Sequence, residues 1–424
     1  MKNQIIVYEL KKIFTAPIII ALIILSLMVN GFIIVSRAHQ IPELSILTDM
    51  VERYGNIINE DSLTSWEVEY KSSLAKMNEI LEEKTGRVFE TASDFHAKLR
   101  QESSLWNLNW DEMEWEQITR TTILENYFII AKSADESYRQ IDLNDYGEAT
   151  VQFFGLTGEL AETIRHQYAI GQHRFAESIE ANEHLYFFFN GQQHEMHNFL
   201  FGQVLRAATF EIIIIGVLLT GYILSYEFDN KTERVMYATK LGRKLHLEKL
   251  KTSLLGATIV AVLILGITLI GYFLVYDYTG LWNVQMNSVF LSEPNRFFVL
   301  DYSLTFLQYL VAAIGLIFIT QLLFVLMIFV LSIIIKNNYI TLITFIIIFG
   351  FGLQLSNLFP TSSNFLFYAG FTPFWMIFDP HTFFMIGGLS DAFKHFELFT
   401  VIIWGLILLA LGSYSFKKFK KIDL

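Results

Sequence analysis

The chain has 424 residues, of which 53% are hydrophobic and 17% are charged, and its formal net charge is −11. Soluble domains are about 45–50% apolar and about 25% charged, so this composition indicates a membrane protein and excludes an ordinary single soluble domain. The absence of cysteine excludes disulfides, thiolate metal sites and thiol nucleophiles.

Six apolar stretches are long enough to cross a hydrocarbon core, which takes about 20 helical residues. We predict an all-α membrane protein with its spans in residues 1–36 (an amphipathic helix, then the first span), 205–226, 253–276, 304–335, 339–359 and 395–424 (the sixth span and a basic tail). The first apolar run is longer than the core of a signal peptide and no small-residue cleavage site follows it, so we expect it to stay as an anchor.

Lysine and arginine concentrate on one side of these spans. Residues 1–12, the loop 227–252, Lys336 and the tail after Phe416 together carry 15 basic and six acidic residues. The opposite short loops, 277–303 and 360–394, carry only Arg296 and Lys394 as basic residues. Because short cytoplasmic loops are rich in Lys and Arg, we expect both termini in the cytoplasm of a cell whose plasma membrane holds the chain.

The segment between the first two spans, about 37–204, is predicted to be a large extracellular domain. Residues 37–206 contain 14 basic and 29 acidic residues, a net charge of −15. We therefore expect the excess of acidic residues in this chain to lie outside the cell. Turn residues are sparse, and apolar residues recur at spacings of three and four residues. This pattern predicts helices near 41–57, 64–84, 92–103, 109–138 and 155–188. We predict that Asn144–Gly147 and Asn190–Gly191 interrupt the helices.

Two groups of side chains in this segment have both a structural and a functional interpretation. Its aromatic residues (Trp106, Trp110, Trp115 and Tyr186 to Phe189) could line a groove for a peptide or lipid, or could be ordinary core and membrane-surface residues. His194 and His197 are spaced to share one helix face, so they are weak candidates for a metal site beside the alternative of a solvated or interfacial pair.

The sequence contains no phosphate loop and no G-x-S-x-G motif, so we do not expect this chain to be an enzyme or to hydrolyse ATP. Polar groups inside spans are costly and usually face the bundle interior. Asn30, Glu211 and Gln321 are therefore possible substrate-path residues, although Glu211 could instead reach the headgroups or pair with Arg206.

The loop 227–252 is polar and patterned. It predicts a short amphipathic helix at about Lys231 to Lys240, a turn at Leu241-Gly242, and a helix that enters the third span. A loop that only retains positive charge inside the cell would explain the basic residues, but not the interspersed acids and threonine.

The run Glu227-Phe-Asp-Asn-Lys-Thr232, followed by Gly242-Arg243 and Lys249, resembles the loop of ABC-2 type transporter permeases. In that family an acidic stretch and a Thr precede a small apolar helix, a turn with Arg, and a Lys that opens the third span. The start Tyr8-Glu9-Leu10-Lys11-Lys12 is similar to the family's amphipathic N-terminal helix. Lys231 stands where the family usually has Gly, and Leu241-Gly242 where it commonly has Pro.

The resemblance implies that residues 227–243 hold a coupling helix that docks on a separate cytoplasmic ABC ATPase subunit. Its candidate contacts are Glu227, Asp229, Thr232, Glu233, Arg234 and Arg243. ATP and Mg would belong to that partner, and no cofactor is expected on this chain. A second permease copy or a paralogue would complete the transporter in the membrane lipid, and no nucleic-acid partner is expected. Residues 360–394 would form short or re-entrant outer helices.

These features together predict the permease subunit of an ATP-driven transporter. A subset of the family with a large extracellular domain is linked to export and immunity, so the resemblance implies an amphipathic peptide, antibiotic or lipid-like substrate that is exported or extracted. The alternative is a membrane-anchored ligand sensor or assembly factor whose acidic extracellular domain binds a ligand.

Overall fold

The computed structural model describes residues 2–38, 41–232, 245–294 and 297–420. Within these residues all regular secondary structure is helical, and β-pairing is limited to three isolated bridges. The predicted all-α class is therefore confirmed. The α-helices are α1 Lys2–Phe14, α2 Pro17–Ser36, α3 Ile41–Tyr54, α4 Glu60–Thr85, α5 Ala92–Gln101, α6 Ser103–Trp106, α7 Glu112–Arg139, α8 Leu143–Phe153, α9 Gly158–Glu180, α10 Gly191–His194, α11 Arg206–Asp229, α12 Leu245–Val275, α13 Phe306–Ile335, α14 Asn338–Gln354, α15 Asn364–Ala369, α16 Pro373–Met376 and α17 Phe396–Lys420.

Six helical segments are long and apolar enough to cross a membrane, as the sequence predicts. They are Pro17–Ser36, Asn198–Glu227, Leu245–Val275, Phe306–Ile335, Asn338–Leu358 and Phe396–Phe419, and they are called spans 1 to 6 below. Span 2 begins earlier than the predicted residue 205, because a π-helix at Asn198–Leu205 runs directly into α11.

Spans 2 and 4 form the centre of the bundle. In each of them 67% of the apolar stretch is buried, whereas the share is 17–33% in the other four spans. Most of the apolar surface of spans 1, 3, 5 and 6 therefore faces outward, which suits contact with lipid rather than water.

The sharp turn between spans 4 and 5 has a clear local origin. Lys336 adopts a left-handed conformation (φ 58°) and ends α13, and its N–H donates to the carbonyl of Ser332 at 3.0 Å. The side chain of Asn337 then accepts from the N–H of Ile340 and caps α14. Because α13 ends in a left-handed residue and α14 begins at a capping residue directly after it, the two spans lie side by side.

Residues 41–197, called the insert below, contain helices α3 to α10. The predicted break at Asn144–Gly147 is wrong, because these residues lie in α8, whose N-terminus is capped by Asp142. A Cβ on Gly147 would lie 2.9 Å from Cβ of Tyr168, so this glycine allows α8 to pack closely on α9. Helix α9 also ends at Glu180 rather than near 188, just before Asn182 takes a left-handed conformation (φ 57°).

The insert packs directly on the loops that join spans 3 and 4 and spans 5 and 6. The N–H of Val289 donates to His184 O at 3.1 Å, and the N–H of Thr157 donates to Thr361 O at 3.1 Å. The hydrophobic core that contains Trp66 and Tyr127 of the insert continues into the spans. These three segments therefore lie together at one end of the bundle, called the insert end below, and α1 lies at the other, the α1 end.

A buried carboxylate organises the middle of the insert. Glu125 on α7 is 1% exposed, and it accepts from the N–H groups of Ala92 and Ser93 at 2.6 and 3.0 Å and from Tyr70 Oη at 2.7 Å. The first turn of α5 has free N–H donors and a favourable dipole for an anion, so Glu125 acts as a cap supplied by another helix.

We expect Glu125→Ala to lower the free energy of unfolding by about 2 kcal/mol, because four donors, the Ser93 hydroxyl among them, lose their buried acceptor. The midpoint of thermal unfolding in detergent, followed by tryptophan fluorescence, measures the loss. Glu116→Ala, at an exposed position of the same helix, is the matched control and should leave the midpoint unchanged. Equal midpoints for the two variants would contradict the capping role.

Candidate functional site

The α1 end is built from α1, the end of span 2 and the start of span 3. Ile13 of α1 is fully buried, and a Cβ on Gly256 would lie 2.8 Å from its Cδ1. The glycine therefore lets the amphipathic helix pack closely against span 3, with Tyr8 left exposed on its other side. This contact fixes α1 across the base of the loop that the sequence singles out.

A network of charges joins these three elements. Lys249, at the start of span 3, is completely buried; its Nζ forms an ion pair with Glu227 and donates to Ile223 O at 2.6 Å. Lys12 of α1 lies 2.9 Å from Glu9 and 3.9 Å from Glu227. Two lysines from different elements thus converge on the carboxylate of Glu227.

Lys12 remains charged in this environment. Burial disfavours its charge, but the hydrogen bond to Glu9 and the charges of Glu9 and Glu227 outweigh burial and raise the pKa of Lys12 above its ordinary value. Its Nζ also lies 4.4 Å from the ring centroid of Tyr226, within cation–π range.

Span 2 ends in a left-handed turn at Lys231, where the ABC-2 permeases whose loop this sequence resembles usually have glycine. Lys231 has a φ of 57°, in the left-handed region that glycine adopts most readily. The N–H of Thr232 donates to Glu227 O at 2.9 Å and closes the turn. Lysine therefore adopts here the conformation for which the family's usual glycine is suited.

The remaining predicted contacts for an ATPase lie beyond this turn. Glu233, Arg234 and Arg243, with the whole predicted amphipathic helix after Thr232, fall outside the described residues, as does the side chain of Asp229. The described part of the site is its base: Glu227, Thr232 and the groups bound to them.

The predicted substrate-path residues lie within the bundle. Asn30 of span 1 is 1% exposed, and its Nδ2 donates to Glu211 Oε2 at 2.8 Å and to Thr268 Oγ1 at 3.0 Å. These contacts tie spans 1, 2 and 3 together through side chains. Asn30 is thus a direct hydrogen-bond partner of Glu211, a contact that the sequence did not single out.

Gln321 makes different contacts. It is fully buried in span 4, and its Nε2 donates to Ala257 O at 2.9 Å and to Ile212 O at 3.3 Å. Carbonyls of membrane helices normally accept only within their own helix, so these are additional bonds that hold spans 2, 3 and 4 together. Because Ile212 directly follows Glu211 in the chain, the hydrogen bond to its carbonyl places Gln321 near the Asn30–Glu211 pair.

Of the two histidine candidates for a metal site, the structure describes the side chain of His197 only. His197 is buried, and its Nε2 bonds to the backbone carbonyl of His381 at 2.7 Å. The side chain of His194 lies outside the described residues. Among the described side chains, no three His, Asp or Glu residues are grouped as metal ligands.

Sequence reasoning missed several participants. Lys12 lies beside Glu227, and the signal available was its i,i+3 spacing from Glu9 on the buried side of α1. Thr268 had no signal, because a single threonine in an apolar span commonly bonds to its own backbone.

Comparisons with protein-family models, with curated proteins and with solved structures found no match for this chain.

Proposed function

We propose that this chain is the permease subunit of an ATP-driven ABC transporter of the ABC-2 type, which exports or extracts an amphipathic peptide, antibiotic or lipid-like molecule. A separate cytoplasmic ATPase holds ATP and Mg, and a second permease copy or a paralogue completes the membrane part. The chain resides in the plasma membrane with both termini in the cytoplasm and the insert outside the cell.

The observation that carries the proposal is the charge network at the base of the loop 233–244. Glu227, Lys249 and Lys12 join span 2, span 3 and α1 to one another close to where the chain enters and leaves that loop. A buried ion pair contributes little net stability, so its more natural role is to fix the geometry between elements. A partner that moves the loop would therefore move both spans and α1 as one unit.

The grouping of the loops supports the proposed orientation. The insert and the loops after spans 3 and 5 lie together, as they must if all six spans alternate across a membrane. The α1 end carries the excess of Lys and Arg, which favours a cytoplasmic location, and the acidic insert then lies outside.

The polar pair Asn30–Glu211 supports a transport role for the bundle. Burying an amide and a carboxylate among apolar helices is costly, and such residues commonly mark paths or moving interfaces. In the proposed cycle, closure of the ATPase dimer displaces the α1 end, and the hydrogen bonds between spans 1, 2 and 3 rearrange to open a path past Glu211. Gln321 holds spans 2, 3 and 4 together during this motion.

The test is a pair of substitutions in the proposed docking loop. Glu233→Ala with Arg234→Ala should reduce both the co-purification of a phosphate-loop ATPase and its vanadate-sensitive ATP turnover by about tenfold, because charged contacts at such an interface contribute about 1.4 kcal/mol or more. Lys417→Ala, an exposed site at the same end of the bundle, is the control and should change neither. Unchanged binding and turnover in the double variant would reject the docking assignment, and capture of a kinase or regulator without ATPase would favour the sensor.

A further inference from the structure

A groove with exposed aromatic walls lies at the insert end. It consists of two adjoining cavities of about 290 and 660 Å³, which share Phe154, Asp379, Thr382 and Asp391. The groove runs between the end of α8 and the loop that connects spans 5 and 6. Cavities of this size are typical of sites for small organic ligands.

The walls expose aromatic rings that a soluble surface normally hides. Phe153 is 83% exposed, Phe154 44% and Trp375 42%. The rings of Phe153 and Phe154 meet edge to face with their centroids 5.0 Å apart. Exposed aromatic side chains around a cavity mark a binding surface for an apolar body, and π-faces also attract cations.

The floor of the groove carries three carboxyl groups, which make it negatively charged where they are ionised. Asp379, Asp391 and Glu397 line it, and none of its described lining residues is Lys or Arg. Glu397 is 4% exposed and accepts from the N–H of Phe384 at 2.6 Å, which fixes the carboxylate beside the cavity. Carboxylates grouped without a cation favour a ligand that supplies one.

We propose that this groove binds an amphipathic organic cation from the aqueous side, with its ammonium, phosphonium or guanidinium group against Asp391 and Asp379 and its apolar body between Phe153, Phe154 and Trp375. The inference builds on the proposed transport function by naming the substrate class. Binding to the groove requires no ATPase, so it can be tested by itself. An anionic molecule of equal shape is repelled once the carboxyl groups of the floor are ionised.

The test uses tetraphenylphosphonium and its anionic counterpart of matched shape, tetraphenylborate. The full chain in phosphatidylcholine nanodiscs should bind the cation saturably in equilibrium dialysis, with empty nanodiscs subtracted, and should not bind the anion. At a pH above 8, where the Asp391 carboxylate is ionised, Asp391→Asn should weaken cation binding about tenfold. Phe153→Ala should weaken it by severalfold, as expected for an aromatic contact. Asp391→Glu, which keeps the charge, should retain most of the affinity and shows that the loss is not one of folding.

The control removes the same charge elsewhere. Glu83→Gln lies on the exposed side of α4 and should leave the affinity unchanged; a loss equal to that of Asp391→Asn would overturn the proposal in favour of a general field of the acidic insert. Replacing part of the phosphatidylcholine by phosphatidylethanolamine should also have no effect. Competition by that lipid would assign the groove to an amine headgroup and would likewise overturn the proposal.

The dependence on pH gives an independent readout. Burial, with Glu397 and Asp379 nearby, raises the pKa of Asp391 to about 8, and Asp301 and Tyr168 are further titratable groups that interact with it electrostatically. The carboxyl is therefore neutral below that pH and charged above it. Because tetraphenylphosphonium keeps its charge at every pH, its affinity should rise as the pH passes 8 and should not rise in Asp391→Asn. A rise of equal size in both would contradict the site. If the chain binds the cation but no ATPase associates with it in the co-purification test, the groove proposal stands and only the proposal of a transporter is rejected.

Discussion

Replacing Lys249 with methionine is expected to lower the free energy of unfolding by about 3–5 kcal/mol, because the substitution removes the nearer of the two lysines beside the buried carboxylate of Glu227. Lys249 is completely buried, and it holds both the carboxylate of Glu227 and the carbonyl of Ile223. Methionine has a similar length, so the substitution removes the charge with little change in volume. The midpoint of thermal unfolding in detergent measures the effect.

Two further variants separate the charge from other causes. Lys417→Met, at an exposed position of the same end of the bundle, should change the stability by less than about 1 kcal/mol. Adding Glu227→Gln to Lys249→Met should recover much of the loss, because no uncompensated charge then remains buried. If the double variant were as unstable as Lys249→Met, packing rather than the ion pair would hold the α1 end together.

Gly191→Val is expected to lower the free energy of unfolding by about 2–3 kcal/mol, the cost of overpacking a rigid junction. A Cβ on Gly191 would lie 2.6 Å from Ser292 O and 2.7 Å from Leu291 O. Both atoms belong to the backbone of the loop between spans 3 and 4, so neither can swing aside. The valine should separate the insert from that loop and make the insert end more sensitive to limited proteolysis.

Gly387→Val is the control for this substitution. A Cβ on Gly387 meets no atom within 4 Å and its backbone is not left-handed, so both stability and proteolysis should stay as in the original chain. The same midpoint for Gly191→Val and Gly387→Val would show that the insert and the loops are not packed as one body.

The spans were predictable because a run of about 20 apolar residues has few interpretations, whatever the rest of the chain does. Boundaries depended on finer features. Span 2 starts at Asn198 because the π-helix extends it, and the Asn144–Gly147 segment is helical because Gly147 faces Tyr168. A glycine that breaks a helix and a glycine that permits close packing look the same in a sequence.

The candidate sites were predictable only in part. Polarity alone singles out Asn30 and Glu211, whereas the hydrogen bond between them requires span 1 to lie beside span 2, 181 residues later in the chain. The groove is even harder to predict from the sequence. Phe153 and Asp391 belong to distant parts of the chain, and neither has a local pattern that distinguishes it from ordinary exposed residues. Proximity of this kind depends on tertiary packing.

The most direct test of the central claim is site-specific photo-cross-linking of the full chain in its own membranes. A photoreactive residue at position 238 in the loop 233–244 should form an adduct with a polypeptide that contains a phosphate loop, and the purified adduct partner should hydrolyse ATP. The same residue at position 113, where Met113 is 77% exposed on the insert, should form no such adduct. An ATPase adduct at position 113, or only lipid adducts at position 238, would contradict a permease whose α1 end meets a cytoplasmic ATPase.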